Sequence, residues 1–307
     1  MLDPGSVYPM DPMKPNAPAR VLRGSCHCRS IGVVFATSVD PRTLLLRACQ
    51  CSFCRRHGAR TTSDPKGHAR ILVRDPAALT RYRFGTRTAE FLLCGRCGAY
   101  AGPFMESEGR TFAACNVNVL DEQDAFERDA TPMHYEAETA EERAARRRAR
   151  WTPADIVICR RTRADSPDAS ALIAAYFAEL AALLGGFDPE KSVSANSDEL
   201  SPPQGVFILM SEGDRPLACG GLKTHSPGIG EIKRMFPVPG ARGRSLGRDL
   251  LRELENAARD LGMHRVVLDT AAPLDRATAL YQSSGYVEVP PFNANPYAAR
   301  WFAKDLD

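Results

Sequence analysis

Seven of the ten cysteines in this 307-residue chain fall between residues 26 and 97, spaced as Cys26-x-Cys28, Cys49-x-Cys51-x-x-Cys54 and Cys94-x-x-Cys97. Clusters this tight oblige the first third of the chain to gather around sulfur. No signal peptide is expected, because the N-terminus lacks a basic patch followed by an apolar stretch. The thiols are then expected to stay reduced, and reduced cysteines at one- and two-residue spacing are metal ligands before they are disulfides. Soft thiolates favour zinc in tetrahedral geometry. Cys94-Gly-Arg-Cys-Gly98 has the form of a zinc knuckle, in which glycines let backbone N–H groups turn towards the sulfurs. A knuckle supplies two ligands, and Cys26 and Cys28 can supply two more. That leaves Cys49, Cys51 and Cys54 as a compact trio. Four thiolates make a closed structural site, whereas three protein ligands leave an open position. Two alternatives stand beside the open site: part of the trio is a bystander, or His57 or His27 completes a second structural site. Cys115, Cys159 and Cys219 stand alone and are expected to be small apolar fillers.

Short apolar runs surround the clusters. Ile31–Ala36, Ala69–Val73, Glu90–Leu93 and Phe112–Val119 read as strands separated by Gly, Pro or Cys. A small, mostly β domain over 21–135 follows, with little core of its own and metal as its staple. Residues 1–20, with prolines at 4, 9, 12, 15 and 18, read as a disordered or extended tail. Residues 136–154 read as a helical linker, glutamates early and arginines late. Arg146, Arg147, Arg148 and Arg150 are expected to form a solvated face. Without interleaved aromatic residues they do not point to nucleic acid. The formal net charge of +3 is too small to argue for a polyanion partner. No apolar run approaches the roughly 20 residues of a bilayer span, so no membrane partner is expected and a cytoplasmic location is the default.

From residue 155 to 307 strands alternate with helices. The pattern predicts strands at Ile156–Cys159, Val206–Ser211, Leu217–Leu222, Glu231–Val238 and Arg265–Thr270, with later ones at Tyr286–Val289 and Ala299–Lys304. It predicts helices at Pro167–Leu184, Ser245–Leu261 and Asp275–Ser284, with a long loop at Gly185–Gly205. An α/β (α+β) domain with a mixed sheet covered by helices results. Within it, Val238-Pro-Gly-Ala-Arg-Gly-Arg-Ser-Leu-Gly247 joins a strand to a helix. Free N–H groups at a helix start, with Arg242, Arg244 and Arg248 alongside, suit an anion such as pyrophosphate.

Two resemblances add to this. Gly24-Ser-Cys-His-Cys28, Cys49-Gln-Cys-Ser-Phe-Cys-Arg-Arg-His-Gly-Ala59 and Cys94-Gly-Arg-Cys-Gly98 resemble the glutathione-dependent formaldehyde-activating enzyme family, which includes the centromere protein V-like proteins. The resemblance covers about residues 20–135. It implies a β fold with two zinc sites, Cys26, Cys28, Cys94 and Cys97 holding a structural zinc and Cys49, Cys51 and Cys54 a second that receives a thiol adduct. Arg29 stands where that family usually has glycine, and Ala99 where it often has a small hydroxyl residue.

Glu231-Ile-Lys-Arg-Met-Phe-Pro-Val238, Arg242-Gly-Arg-Ser-Leu-Gly247, Val267-Leu-Asp-Thr270 and Ala279-Leu-Tyr-Gln-Ser-Ser-Gly-Tyr286 resemble the GNAT superfamily of N-acetyltransferases. Pro291-Phe-Asn and Tyr297…Trp301-Phe…Lys304 are similar to the tail of one bacterial branch. The resemblance implies acetyl-coenzyme A as donor. Met235, Phe236 and Val238 match the strand that pairs with the pantetheine arm. Arg242, Gly243, Arg244, Ser245, Leu246, Gly247 and Arg248 match the pyrophosphate cradle. Ser245 replaces the first motif glycine. It can still offer its N–H if no left-handed conformation is required, and it is a competent N-cap. Leu274 replaces an asparagine often found three residues before Ala277. Tyr281 matches the tyrosine that reprotonates the leaving thiolate, with a core aromatic as the plainer reading. Glu231 is a candidate proton acceptor, directly or through water, with a salt bridge as the plainer reading. A backbone N–H near Phe236–Val238 is expected to polarise the acetyl carbonyl, and His225 is a further base candidate.

The expected function is acetyl-coenzyme A-dependent N-acetylation of a small-molecule or peptide amine by a domain fused to a zinc domain. The alternatives are a thiol-dependent aldehyde-adduct lyase using a low-molecular-weight thiol, and a zinc interaction module that directs the transferase. Oligomerisation is left open.

Overall fold

The computed structural model describes residues 20–126, 129–192 and 195–306; the tail expected at 1–20 lies outside them except for Arg20. The chain divides into two compact units. One runs to Leu72 and then from Ala77 to Ile156; the other comprises Val73–Pro76 and Val157 onwards.

The first unit is mostly β. Its elements are β1 (Arg20–Ser25), β2 (Ile31–Thr37), β3 (Arg47–Cys49), α1 (Ser52–Arg56), β4 (Thr61–Thr62), β5 (His68–Val73), β6 (Leu79–Tyr82), β7 (Glu90–Cys94), β8 (Tyr100–Ser107), β9 (Arg110–Ala113), β10 (Cys115–Asn116), β11 (Thr131–Met133) and α2 (Ala140–Arg150). Strands β6 to β9 form an antiparallel meander. β1 pairs antiparallel with β2. A smaller sheet runs β10-β4-β3-β11, in which β11 lies parallel to β3. The expected strand Phe112–Val119 is broken into β9, β10 and a 3-10 turn at Val117–Val119. The turn starts where the Asn116 side chain accepts from the Asn118 N–H. The core gathers Phe91, Tyr100, Met105, Phe112 and Trp151 together with Cys54. Buried Arg70 reaches Asp155 with two 2.7 Å hydrogen bonds.

α2 starts on a capping box, Thr139 and Glu142 each bonding the other's backbone N–H. It belongs to the compact first unit, and of the four arginines expected on a solvated face Arg150 is exposed, Arg146 and Arg148 are half-buried and Arg147 is not solvated. Arg147 is only 7% exposed. Arg146 and Arg143 fold back onto Glu138.

The second unit contains the C-terminal part of β12 (Thr152–Thr162), α3 (Pro167–Leu184), β13 (Gly205–Glu212), β14 (Arg215–Ser226), β15 (Ile229–Pro237), α4 (Leu246–Asp260), β16 (Arg265–Thr270), α5 (Asp275–Ser283), β17 (Val287–Val289) and β18 (Arg300–Asp305). Its sheet order is β12-β13-β14-β15-β16-β18-β17, antiparallel except where β15 and β16 run parallel. α4 buries Leu250, Leu251 and Leu254. Gly220 allows this approach, because a Cβ there would stand 3.0 Å from Leu254. α3 is long and apolar enough to cross a bilayer by length and composition alone. In this unit its Ala169, Leu172 and Ile173 pack into a core with Leu209 and Phe236.

Candidate functional site

In the first unit the β7–β8 turn carries the knuckle. Cys94 N–H donates to Ala99 O and Gly98 N–H to Cys94 O, both at 2.8 Å, and Gly98 takes φ +73°. The β1–β2 turn brings Cys26 and Cys28 to the same place. All four sulfurs lie within 4.8 Å of one another. Cys28 Sγ stands 3.6 Å from Cys26 Sγ and 3.4 Å from Cys94 Sγ. A tetrahedron with zinc–sulfur bonds of about 2.3 Å has edges of about 3.8 Å, so the donor set fits that ion. Amides point inward as expected: Ile31 N–H donates to Cys26 Sγ at 3.3 Å, and the N–H groups of Arg96 and Cys97 face Cys94. The Ser30 hydroxyl beside Cys28 draws its thiol down to about 6, while burial pushes Cys26 up to about 12. Arg29, where the resemblance has glycine, takes φ +62°.

Cys49, Cys51 and Cys54 form a separate group, also with sulfurs within 4.8 Å. Cys49 ends β3, and Cys51 caps α1 by accepting the Cys54 N–H at 3.4 Å. The Cys54 thiol holds Cys49 down to about 6 against the effect of burial. Among the described residues no fourth ligand atom joins this group. His57 caps α1 at its other end, its ring against Phe53 and Tyr100. Neither His57 nor His27 belongs to either group. The trio opens onto a pocket of about 260 Å³.

In the second unit, β15 and β16 are paired only at Ile229–Glu231 against Arg265–Val267. Beyond that they part, leaving a cavity of about 830 Å³. Met235 and Phe236 of β15 line it; Val238 instead packs against the core and donates its N–H to Leu217 O. The neighbouring Arg234 takes φ +55°, where β14 shifts register opposite it.

The loop into α4 reaches the cavity with Arg242, Gly243, Ser245, Leu246, Gly247 and Arg248. Among the described residues the N–H groups of Gly243, Ser245, Leu246 and Gly247 have no protein acceptor. Gly243 sits at φ +83° and Ser245 at φ +60°. The left-handed conformation is therefore required at the serine, and its side chain makes no capping bond. Both differ from the expectation, because α4 already draws Arg248 and Asp249 N–H onto the Ser245 carbonyl. The arginines are also spoken for. Arg242 clasps Glu179 at 2.6 and 2.7 Å, Arg244 binds Glu212 off the cavity wall, and Arg248 holds Ser283 and Ser284 at the end of α5. The donors this loop leaves without a protein acceptor at the cavity are therefore backbone amides.

Tyr281 of α5 lines the cavity, its ring against Tyr286 and Phe302. Burial raises its hydroxyl above the ordinary range, and the hydroxyl bonds no group among the described residues. Glu231 is 2% exposed and off the cavity wall, its carboxylate 2.6 Å from Lys233 Nζ. Lys233 also meets Asp269 at 2.6 Å. Burial would lower the Lys233 ammonium, but the two carboxylates outweigh it and hold it above its ordinary range. Asn293 donates to Glu231 at 3.1 Å and to Asp269 at 3.2 Å, and Asn295 donates to Asp269 at 2.5 Å. His225 lies 3.8 Å from Glu231 against Phe292. Asp269, Lys233 and Asn295 reach the cavity. Sequence reasoning missed them, although Asp269, an acid inside an apolar strand, was itself a signal.

Residues 173–286 match the family model described as the acetyltransferase (GNAT) family. An IAA acetyltransferase of Azospirillum brasilense is 33% identical over 121 residues, covering 39% of this chain and 78% of that protein. An uncharacterized N-acetyltransferase of Schizosaccharomyces pombe is 30% identical over 135 residues, covering 43% and 82%. An acetyltransferase of Streptococcus agalactiae of solved structure aligns over 49% of this chain and 98% of its own, at 17% identity and a TM-score of 0.40. The family model and the Azospirillum and Schizosaccharomyces relatives lead to one conclusion: the chain belongs to the GNAT acetyltransferase family, and its acetyltransferase unit is fused to a cysteine-rich unit able to hold metal.

Proposed function

We propose that the second unit transfers the acetyl group of acetyl-coenzyme A to an amine, and that the first unit carries zinc in a closed Cys26–Cys28–Cys94–Cys97 site and an open Cys49–Cys51–Cys54 site. The observation that carries the first half is the run of unpartnered amides at Gly243, Ser245, Leu246 and Gly247 at the mouth of a divided strand pair. Such amides at a helix N-terminus suit a pyrophosphate without needing arginine side chains. Acetyl-coenzyme A supplies an activated acetyl thioester at the parted end of β15 and β16.

The residues around that slot divide the proton work. Tyr281, held protonated by burial, gives its proton to the departing thiolate. Asp269, at the cavity wall, faces the acceptor ammonium and takes its proton. Glu231 acts from behind as a positioning residue. It holds Lys233, and Asn293 bridges it to Asp269. Burial of this net among hydrogen-bonded partners keeps the carboxylates in fixed orientation.

A second reading gives the first unit an activity of its own, aldehyde processing with a low-molecular-weight thiol. The open three-cysteine group at the floor of a pocket favours it, because an open zinc position can polarise an oxygen or bind a thiolate. Native mass spectrometry with amide-resolved titration tests the whole proposal. Expected are two zinc ions per chain, and acetyl-coenzyme A-induced shifts at Gly243, Ser245, Leu246 and Gly247. Unchanged amides at saturating ligand would sink the transferase site, and a single zinc would sink the open one.

A further inference from the structure

Three side chains on the pocket over Cys49, Cys51 and Cys54 have a buried polar atom with no hydrogen-bond partner among the described residues: Arg143, whose Nε still lies 3.4 Å from Glu138, and Tyr100 and Arg147, which have no such acid. Tyr100 is 3% exposed, and its buried hydroxyl has no hydrogen-bond partner. Arg147 is 7% exposed, and its buried Nε likewise has none. Arg147 donates one Nη1 bond to Thr88 at 2.7 Å and lies with Cζ 4.8 Å from the Trp151 ring centroid. Among the described residues no carboxylate pairs with it. Its neighbours show how unusual this is. Arg143 and Arg146 share Glu138. A second pocket arginine, Arg47, is also mostly buried and bonds Ser63 without an acid partner. Among the described residues on the pocket wall the one acid is Glu136, and its side chain is 64% exposed.

A buried guanidinium without a counterion is costly, and a buried hydroxyl without a partner adds to the cost. Both costs disappear when a carboxylate enters, because it accepts from Arg147 and Tyr100 together in charge-assisted bonds. Phe84, Phe91, Ala114 and Trp151 give the wall an apolar part, and Thr61, Thr86, Thr88 and Tyr135 a polar one. At about 260 Å³ the space suits a small acid rather than a long chain. We propose that this pocket binds a small aromatic or branched apolar monocarboxylate, its carboxylate on Arg147 and the Tyr100 hydroxyl, in the space whose wall the three-cysteine group shares. The inference goes beyond the acetyl-transfer reading and is independent of it.

Benzoate and its uncharged isostere benzamide make the test, by titration calorimetry on the full chain with its zinc content measured on the same sample. Benzoate is expected to bind about tenfold or more tighter than benzamide. Tyr100→Phe is expected to weaken benzoate several-fold, leave benzamide unchanged, and keep or raise the melting temperature, since its hydroxyl has no partner to lose. Arg147→Lys, which keeps the charge but loses the planar fork, is expected to remove most of the benzoate preference. The proposal is overturned if benzoate gives no heat at about 10 mM, where binding of even millimolar strength is saturated. It is equally overturned if acid and amide bind alike, or if both variants leave the preference intact. Zinc content does not decide these outcomes, because the preference is read on Arg147 and Tyr100.

Discussion

The two units build their sites from opposite materials. In the first, sulfur side chains from the β1–β2 turn and the β7–β8 knuckle converge on one point, and a second trio gathers around α1. In the second, one continuous loop offers bare amides, while the charged side chains beside it are bound to other groups. A side-chain site depends on the identity of a few residues. A backbone site depends on conformation and tolerates side-chain change, except where φ must be positive.

The largest effect expected from this contrast is in the two cysteine groups, if they hold zinc as proposed. Cys94→Ser should remove the cooperative melting of the first unit or lower it by well over 10 °C, since a structural zinc contributes folding energy directly. Cys51→Ser, in the open trio, should shift it only a few degrees. Calorimetry of the full chain should register both changes in the first unit and neither in the second. Equal losses from the two variants would remove the distinction between a closed and an open site.

Next in size is the Arg70–Asp155 pair, 2% and 6% exposed. Burial alone would raise the Asp155 carboxyl, but hydrogen bonds from His68 and Arg70 hold it well below the usual carboxylate range. Its stabilisation is therefore complete above the ordinary carboxyl value of about 4 and is lost as pH falls through the lower folded value. Asp155→Asn should cost about 3–5 kcal/mol at neutral pH, because it strands a buried guanidinium. In urea unfolding, the gap between wild type and variant should close only as the pH drops below about 4. A gap that persists unchanged into acid would show that the carboxylate charge was not the source.

Third is Tyr281→Phe. The ring contacts with Tyr286 and Phe302 survive this change, so folding should hold. The kcat should fall about a hundredfold with the KM for acetyl-coenzyme A nearly unchanged, as befits a group that only donates a proton. A raised KM with normal kcat would assign Tyr281 to packing instead.

What the sequence disclosed follows the same division. Pro167–Leu184 and Arg265–Thr270 were legible to the residue, because helical spacing and an apolar β-branched run announced them. The two cysteine groups were legible because ligand identity is written in the residue type. β1, β6 and β8 were not: β1 and β6 are short and polar, and β8 carries Gly102 and Pro103. Arg147 and Tyr100 acquire their meaning only from burial, and Asp269 only from the cavity it faces. Glu231 was legible as an acid near the slot, but its pairing with Lys233 depends on side-chain direction along β15.

The smallest expected effect tests the backbone site most directly. Ser245 sits at φ +60°, ψ 11°, with no side-chain bond to the helix it opens. A left-handed non-glycine residue costs about 1–2 kcal/mol, and the greater chain entropy of glycine takes back about 0.5–1 of that. Ser245→Gly should therefore stabilise the second unit by somewhat less than about 1 kcal/mol, raising its melting transition by a few degrees at most. Ser245→Ala should change little, because the hydroxyl caps nothing. Acetyl-coenzyme A should bind the glycine variant as tightly as wild type or slightly more so, since the free amides are unchanged and the loop is less strained. If binding weakens with both glycine and alanine, the serine hydroxyl itself contacts the phosphate. The contrast between a side-chain site and a backbone site would then fail at the residue where it is drawn most sharply.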